Sequence, residues 1–248
     1  MKNPYRDRLR VLFDRIIELK HSSSRISSVL NKDVQKYTTE EARFFSGSKL
    51  IISDWTGPTD NGWELNFNTG IRKEIWKDDY AKEVENIISR ECCLAFAQAF
   101  ESLESFFKDC IYIKSQQTDV FNFESRDEIP GGNKLFRLIK KASTPDYTDY
   151  SQTNNKNIRF KEFWSVISES RHSVVHSSCR LEKSKINQSV DHFATFEYLF
   201  NYEEITDNIL FLKLSFRDLD KILKHIAEFA YQFNKIWSNQ EELEFRFK

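Results

Sequence analysis

The residues of this chain best suited to chemistry lie in one short segment, Arg171-His172-Ser173-Val174-Val175-His176. His172 and His176 are four residues apart, so on a helix they share a side. Three uses fit such a pair. A metal could take both imidazoles together with Cys179. Zinc, however, needs three or four ligands, and His21, His192 and His225 are distant and in no ligand pattern, so no metal is expected. Acid–base work beside an adjacent cation needs no metal, because imidazole exchanges protons near neutral pH. The third use is purely structural, as exposed or core-satisfied histidines near a helix end, and that is what a random pair would be.

Two charges stand where apolar residues belong. Phe160, Trp164, Ile167 and Val174 recur at spacings of four, three and seven and share a helix face, and position 171 on that face is Arg. A buried guanidinium without a partner is costly, so Arg171 should meet an acid or sit at the rim of a cavity. Upstream, Phe100, Phe107 and Ile111 lie four before, three after and seven after Glu104, which places Glu104 on an apolar side. Glu101 instead has Gln98, Ser105 and Lys108 as helical neighbours. The pattern predicts a contact or a shared polar site between Arg171 and Glu104, whether as a structural ion pair or as part of a reactive site.

The elements that must position these residues are mostly helical. Pro4 suits a first turn, and Leu9, Leu12, Phe13, Ile16, Ile17, Ile26, Val29 and Leu30 continue one long amphipathic helix with a polar patch from His21 to Ser24. Between about Tyr37 and Asp78 the pattern changes. Lys49 to Trp55 and Trp63 to Phe67 have strand-like composition around the turn signal Gly57-Pro58-Thr59-Asp60-Asn61-Gly62, which predicts a hairpin or an irregular insertion. A central helix is expected from near Tyr80 to about Ile113, with Val84, Ile88, Cys92, Phe96, Ala99, Leu103, Phe106 and Cys110 on its apolar stripe. Further helices are expected over Lys134–Ala142, Ile158 to about Ser177, and Arg217 to Trp237, and a loop over Ser143–Asn157. Phe196–Phe200 and Ile209–Leu214 are expected to pair as a hairpin across Asp207-Asn208. No repeat or linker is evident, so a single domain over 1–248 is the expectation.

Composition narrows the class. The 6 Gly and 4 Pro among 248 residues argue against a turn-dense all-β fold. The 37 basic and 38 acidic residues nearly cancel, so any nucleic-acid contact must use a local patch, which excludes a general RNA coat protein more strongly than an enzyme that touches RNA briefly. Cys92, Cys93, Cys110 and Cys179 show no framework spacing and are expected to be reduced thiols of a cytoplasmic protein. The charged start, Met1 to Arg8, does not suit a signal peptide, and no apolar run reaches transmembrane length, so no membrane association is expected.

The segment Ile167-Ser168-Glu169-Ser170-Arg171-His172-Ser173-Val174-Val175-His176-Ser177 resembles the signature of HEPN domains: an Arg, a polar residue, a few further residues, then a His. His172 occupies the polar position, where Asn is commoner. Ala99-Phe100-Glu101-Ser102-Leu103-Glu104-Ser105-Phe106-Phe107-Lys108-Asp109 resembles the HEPN helix that carries an acid within an apolar stripe, with Glu104 in that place. The order also agrees, with the acidic helix first, the Arg/His motif next and an amphipathic helix last. The resemblance covers about residues 80–238 and is greatest to RiboL-PSP-like and related toxin or defence HEPN proteins; residues 1–79 lie outside it. It implies a mainly α, antiparallel helical bundle with one or two small β-hairpin insertions. It also implies a metal-independent, cofactor-free endoribonuclease of the toxin or defence kind that leaves 2′,3′-cyclic phosphate ends. In that scheme His176 moves the proton, Arg171 holds the phosphate, His172 orients the phosphate or His176, and Glu104 positions Arg171. RNA is then the substrate, a homodimer the assembly, and an antitoxin or regulatory protein a further partner. The alternative is a catalytically silent HEPN-like module that binds a nucleotide or a protein.

Overall fold

The structure, a computed structural model, describes residues 3–39, 45–54, 65–147 and 156–238. The described part is mainly helical, with two small antiparallel sheets. Contacts group the chain into two compact units, residues 1–26 with 88–248 and residues 27–87, a division that no linker in the sequence marks. Helix α1 (Pro4–Lys36) contributes to both units, as does helix α2 (Lys77–Gln117). The serines of α1 do not interrupt it: Ser22 turns its hydroxyl back onto the Leu19 carbonyl at 3.1 Å, which satisfies it without breaking the helix.

In the smaller unit, β1 (Phe45–Asp54) pairs antiparallel with β2 (Leu65–Trp76), from Phe45 opposite Trp76 to Asp54 opposite Leu65, with an irregularity between Lys49 and Ile51. The strand-like runs are therefore strands, longer than their hydrophobic pattern. The turn expected at 57–62, and the flanking Trp55 and Trp63, lie outside the described residues. The Tyr80 hydroxyl donates to the Asp33 carboxylate, and this bond pushes the phenol up to about 12. The Tyr37 and Tyr80 rings meet edge-on at 5.3 Å.

The larger unit continues from α2 through a single 3-10 turn (Arg126–Glu128) into α3 (Gly132–Ala142) and then α4 (Phe160–His176). Most of the loop expected at 143–157 lies outside the described residues. After α4 come β3 (Arg180–Glu182), the one-turn α5 (Lys183–Ile186), α6 (Val190–Leu199), β4 (Tyr202–Thr206), β5 (Ile209–Leu212) and α7 (Phe216–Ser238). The expected hairpin needs correction. Its first arm is β4, not Phe196–Phe200, which belongs largely to α6, and β5 lies between β3 and β4 in the sheet. Phe196 and Leu199 are three apart and both fully buried, so a helical spacing rather than alternation governs that run. Ser189 starts α6 by accepting the His192 N–H at 3.3 Å.

The core of this unit is aromatic. Phe107 of α2 meets Phe160 and Trp164 of α4, each at 5.7 Å, and Phe233 of α7 at 5.3 Å. Along α4, Phe160 packs on Phe233 at 4.6 Å and Phe163 on Phe229 at 4.7 Å, so α4 and α7 run in opposite directions. Such offset and edge contacts add roughly 0.5–1.5 kcal/mol per pair beyond the area they bury. The α7 stripe read from the sequence, Leu219, Ile222, Leu223, Ile226, Phe229, Ala230, Phe233 and Ile236, is buried throughout.

One polar residue on α7 makes stability depend on pH. His225 is buried; its Nδ1 lies 3.1 Å from the Lys221 carbonyl, to which it donates, and its Nε2 has no partner. Burial lowers its pKa below the usual histidine value, against the opposing pull of Glu228. The unfolded chain therefore binds more protons than the folded one near and below the ordinary imidazole value of about 6.5, so stability falls as pH drops through that range. Urea unfolding of the parent is expected to show this loss between neutral pH and mildly acidic pH, and His225→Gln to flatten it. Equal pH dependence in both proteins would remove His225 as the cause.

Candidate functional site

The Arg171–His176 segment forms the last two turns of α4. Val174 is buried on the core side and Ser173 beside it, while His172, Val175 and His176 are exposed. The sequence reading that His172 and His176 share a side holds, since their ring centroids are 4.7 Å apart. The helix stops immediately after His176. The Ser173 carbonyl accepts both the Ser177 and the Cys179 N–H at 3.0 Å, and Ser178 and Cys179 take left-handed φ of 50° and 66°. This is a helix end closed by backbone reversal, built here without glycine. It delivers the chain straight into β3, where the Cys179 carbonyl accepts the Leu212 N–H at 3.0 Å.

Arg171 behaves as the misplaced charge that the face pattern implied. Its neighbours on that face, Phe160, Trp164 and Ile167, are almost fully buried. Its own side chain is 25% exposed, so the guanidinium reaches the rim of the core. Its Nε is buried and without a partner, and its Nη2 donates to Glu101 Oε1 at 2.5 Å.

The acidic partner is thus Glu101 and not Glu104, which corrects the expected pairing. The reason lies in how α2 and α4 pack. Phe107 meets Phe160, Phe100 meets Trp164 at 5.4 Å, and Glu101 meets Arg171, so the helices run antiparallel. Relative to Phe107 opposite Phe160, the α2 residue that Arg171 reaches lies back along α2, and it is Glu101. Glu104 serves α3 instead: its Oε1 accepts the Gly132 N–H at 2.8 Å. The N-cap of α3 is Gly131, which has no side chain to cap with, and the carboxylate of Glu104 takes that role across the helices. An added Cβ at Gly131 would lie 3.4 Å from the same oxygen, in ordinary van der Waals contact.

A second link between α2 and the end of α4 was not read from the sequence. The Cys93 thiol donates to Cys179, which pushes Cys93 up, together with burial, and holds Cys179 down against its own burial, with Arg90 also favouring the thiolate. The only sequence signal was that Cys179 follows the motif closely. Nothing in periodicity links it to a cysteine on a distant helix. Cys179 is therefore engaged by a thiol, and among the described residues no group of three or more His, Cys, Asp and Glu side chains is placed to hold a metal ion.

The structure pairs Arg171 with Glu101 on the inner side of the C-terminal end of α4, sets His172 beside His176 on its exposed side, and assigns Glu104 to α3. Chemically these are a carboxylate-paired cation and, on the same two turns of helix, two exposed imidazoles. A guanidinium is a donor for oxyanions, and imidazoles are groups that carry protons. No family model matches the chain, and no curated protein or solved structure is significantly similar to it. No helix among the described residues is long and apolar enough to cross a membrane.

The two glutamates make distinguishable contributions to stability. Glu104→Ala leaves the start of α3 uncapped and is expected to cost about 1 kcal/mol in urea unfolding, the usual scale of a lost cap. The Glu101 side chain is 54% exposed, and Glu101→Ala is expected to cost less than about 1 kcal/mol, as exposed ion pairs do. The reverse order would show that Glu101, not Glu104, carries the structural role.

Proposed function

We propose that this chain is a metal-independent endoribonuclease of the HEPN kind, acting as a toxin or defence effector. The observation that carries the proposal is the guanidinium of Arg171, held by Glu101 one residue before a side-by-side pair of exposed imidazoles. In the proposed reaction His176 accepts the proton of a ribose 2′-hydroxyl, whose oxygen attacks the adjacent phosphorus. The bond from phosphorus to the 5′-oxygen breaks, and the imidazolium returns its proton to that oxygen. The products are a 2′,3′-cyclic phosphate and a 5′-hydroxyl, with no net proton consumed. Arg171 stabilises the charge that grows on the phosphoryl oxygens, which a guanidinium does by paired N–H donation. His172 orients the phosphate or the ring of His176. Glu101 takes the positioning role that the family resemblance assigned to Glu104.

A homodimer that brings two such helix ends to one cleft would add a second Arg171 and a second His176 to the same RNA. This supplies local positive charge that a chain of net charge -1 lacks overall. An antitoxin or other regulatory protein would act by covering that cleft. The competing reading, a catalytically silent helical module for a nucleotide or protein partner, is favoured by one feature: on a single chain both imidazoles lie on open helix surface.

Mixed single-stranded and structured RNAs incubated with the full chain in EDTA decide between them. Cleavage to 2′,3′-cyclic ends is expected, undiminished by EDTA, and reduced on the order of a hundredfold or more in His176→Ala and in Arg171→Ala. Cleavage that EDTA abolishes, or that survives His176→Ala, overturns the mechanism. Absence of cleavage with tight RNA or protein binding supports the silent module.

A further inference from the structure

Helix α3 presents a solvent face made of cations. Lys134, Arg137, Lys140 and Lys141 are exposed, while Leu135, Ile139 and Ala142 are buried. At helical spacing the four cations fall within roughly a third of the helix circumference. α3 contains no acid, whereas every other described helix of more than one turn carries at least one. This concentration occurs in a chain whose 37 basic and 38 acidic residues nearly cancel.

Helix stability does not explain the pattern. Lys134 sits in the first turn, where the helix dipole disfavours a cation. Arg137 lies three residues from both Lys134 and Lys140 and four from Lys141, spacings at which like charges repel. The Lys140 ammonium lies over the Tyr147 ring at 5.8 Å, and Lys141 Nζ donates to the Val120 carbonyl at 3.1 Å, so both are held in place with their charge intact. Lys134 and Arg137 meet no carboxylate among the described residues. The repulsion within this face is left uncompensated, and a row of anions laid along it relieves that repulsion.

The other side of α3 narrows the class of partner. Phe136 packs on Phe160 at 5.9 Å, and Leu135 and Ile139 are fully buried. A helix that lies on a membrane needs such residues free to enter the lipid. A phosphate backbone needs only the cations. Position points the same way. The Gly132 N–H donates to Glu104, which lies three residues, about one turn of α2, from the Glu101 that holds Arg171. α3 therefore starts near that level and runs toward the Phe160 end of α4, with Lys134 the cation nearer the motif. We propose that the solvent face of α3 holds the phosphate backbone of an RNA strand, with Lys134 and Arg137 each on a phosphate and Lys140 and Lys141 adding to the attraction. That the strand is RNA, and a substrate, rests on the ribonuclease reading.

The test is fluorescence anisotropy of a labelled single-stranded 2′-O-methyl oligoribonucleotide, which has no free 2′-hydroxyl and is not cleaved, titrated with the full chain over a range of salt concentrations. The parent is expected to bind. The double variant Lys134→Gln with Arg137→Gln is expected to bind at least about tenfold more weakly at low salt, and its plot of log K against log salt to be shallower by roughly 1.4, the share of two phosphate contacts on a single strand. Arg25→Gln with Lys32→Gln removes two exposed cations from α1 and is expected to keep the parent's slope. No binding by the parent overturns the proposal, as does the parent's slope in the α3 variant or an equal loss of slope in both variants. Co-sedimentation with phosphatidylserine vesicles that depends on α3, together with RNA binding that does not, overturns it in favour of a membrane. Cleavage of ordinary RNA is read separately. Binding that depends on α3 without cleavage keeps this surface and removes the nuclease, and cleavage with unchanged binding by the α3 variant does the reverse.

Discussion

The packing of α2 against α4 through Phe107, Phe160 and Trp164 is the contact on which the rest of the larger unit depends. It fixes two helices antiparallel, and every polar link at the candidate site is a consequence of that direction. Moving along α4 from Phe160 to Arg171 means moving back along α2 from Phe107, so Arg171 reaches Glu101, and the residues just past α4 bring Cys179 to Cys93. The same aromatic cluster receives Phe233 from α7, so three helices share one apolar centre. Interiors of this kind are close-packed and shift little, which lets a guanidinium at their rim be held in one place.

The ends of α4 carry opposite kinds of chemistry. The C-terminal end offers a cation and two exposed imidazoles, suited to a phosphate and to proton transfer. The N-terminal end holds the buried Glu162 and the exposed Arg159–Asp191 pair. A helix suits this division, because its length separates the two and its ends present different side chains and opposite dipole charges. The Cys93–Cys179 contact adds a further tie at the C-terminal end, where the chain reverses through two left-handed residues that are not glycine. Residues in that conformation store of order 1 kcal/mol or more each and persist only when their surroundings fix them. Here β5 and the thiol pair do so.

Helices, strands and most apolar stripes were legible in the sequence because periodicity is a local property; along α1 the expected stripe ran too far, since Leu9, Leu12 and Ile16 are buried but Ile17, Ile26 and Val29 are exposed. α7 matched its expected stripe residue for residue, and the shared side of His172 and His176 followed from a spacing of four. The odd charge at Arg171 was equally legible, since a guanidinium on a face of Phe, Trp and Ile must find an acid or reach a rim. Phe196–Leu199 was misread because a short apolar run fits either a strand or a buried helix, and the choice depends on what lies against it.

What the sequence by itself determined was which residues lie on which face of each helix, and therefore that Arg171 and an acid of α2 each stood on an apolar face. Which carboxylate Arg171 received was decided only by tertiary structure. Glu101 and Glu104 are one turn apart, and their helical neighbours favoured Glu104, but the antiparallel register of α2 on α4 put Glu101 opposite the guanidinium and left Glu104 facing the bare N-terminus of α3. The pairing of Cys93 with Cys179, and the burial of Glu162, are likewise products of register and packing between distant segments. No periodicity within one helix encodes them, because the relevant distances run between helices and not along them.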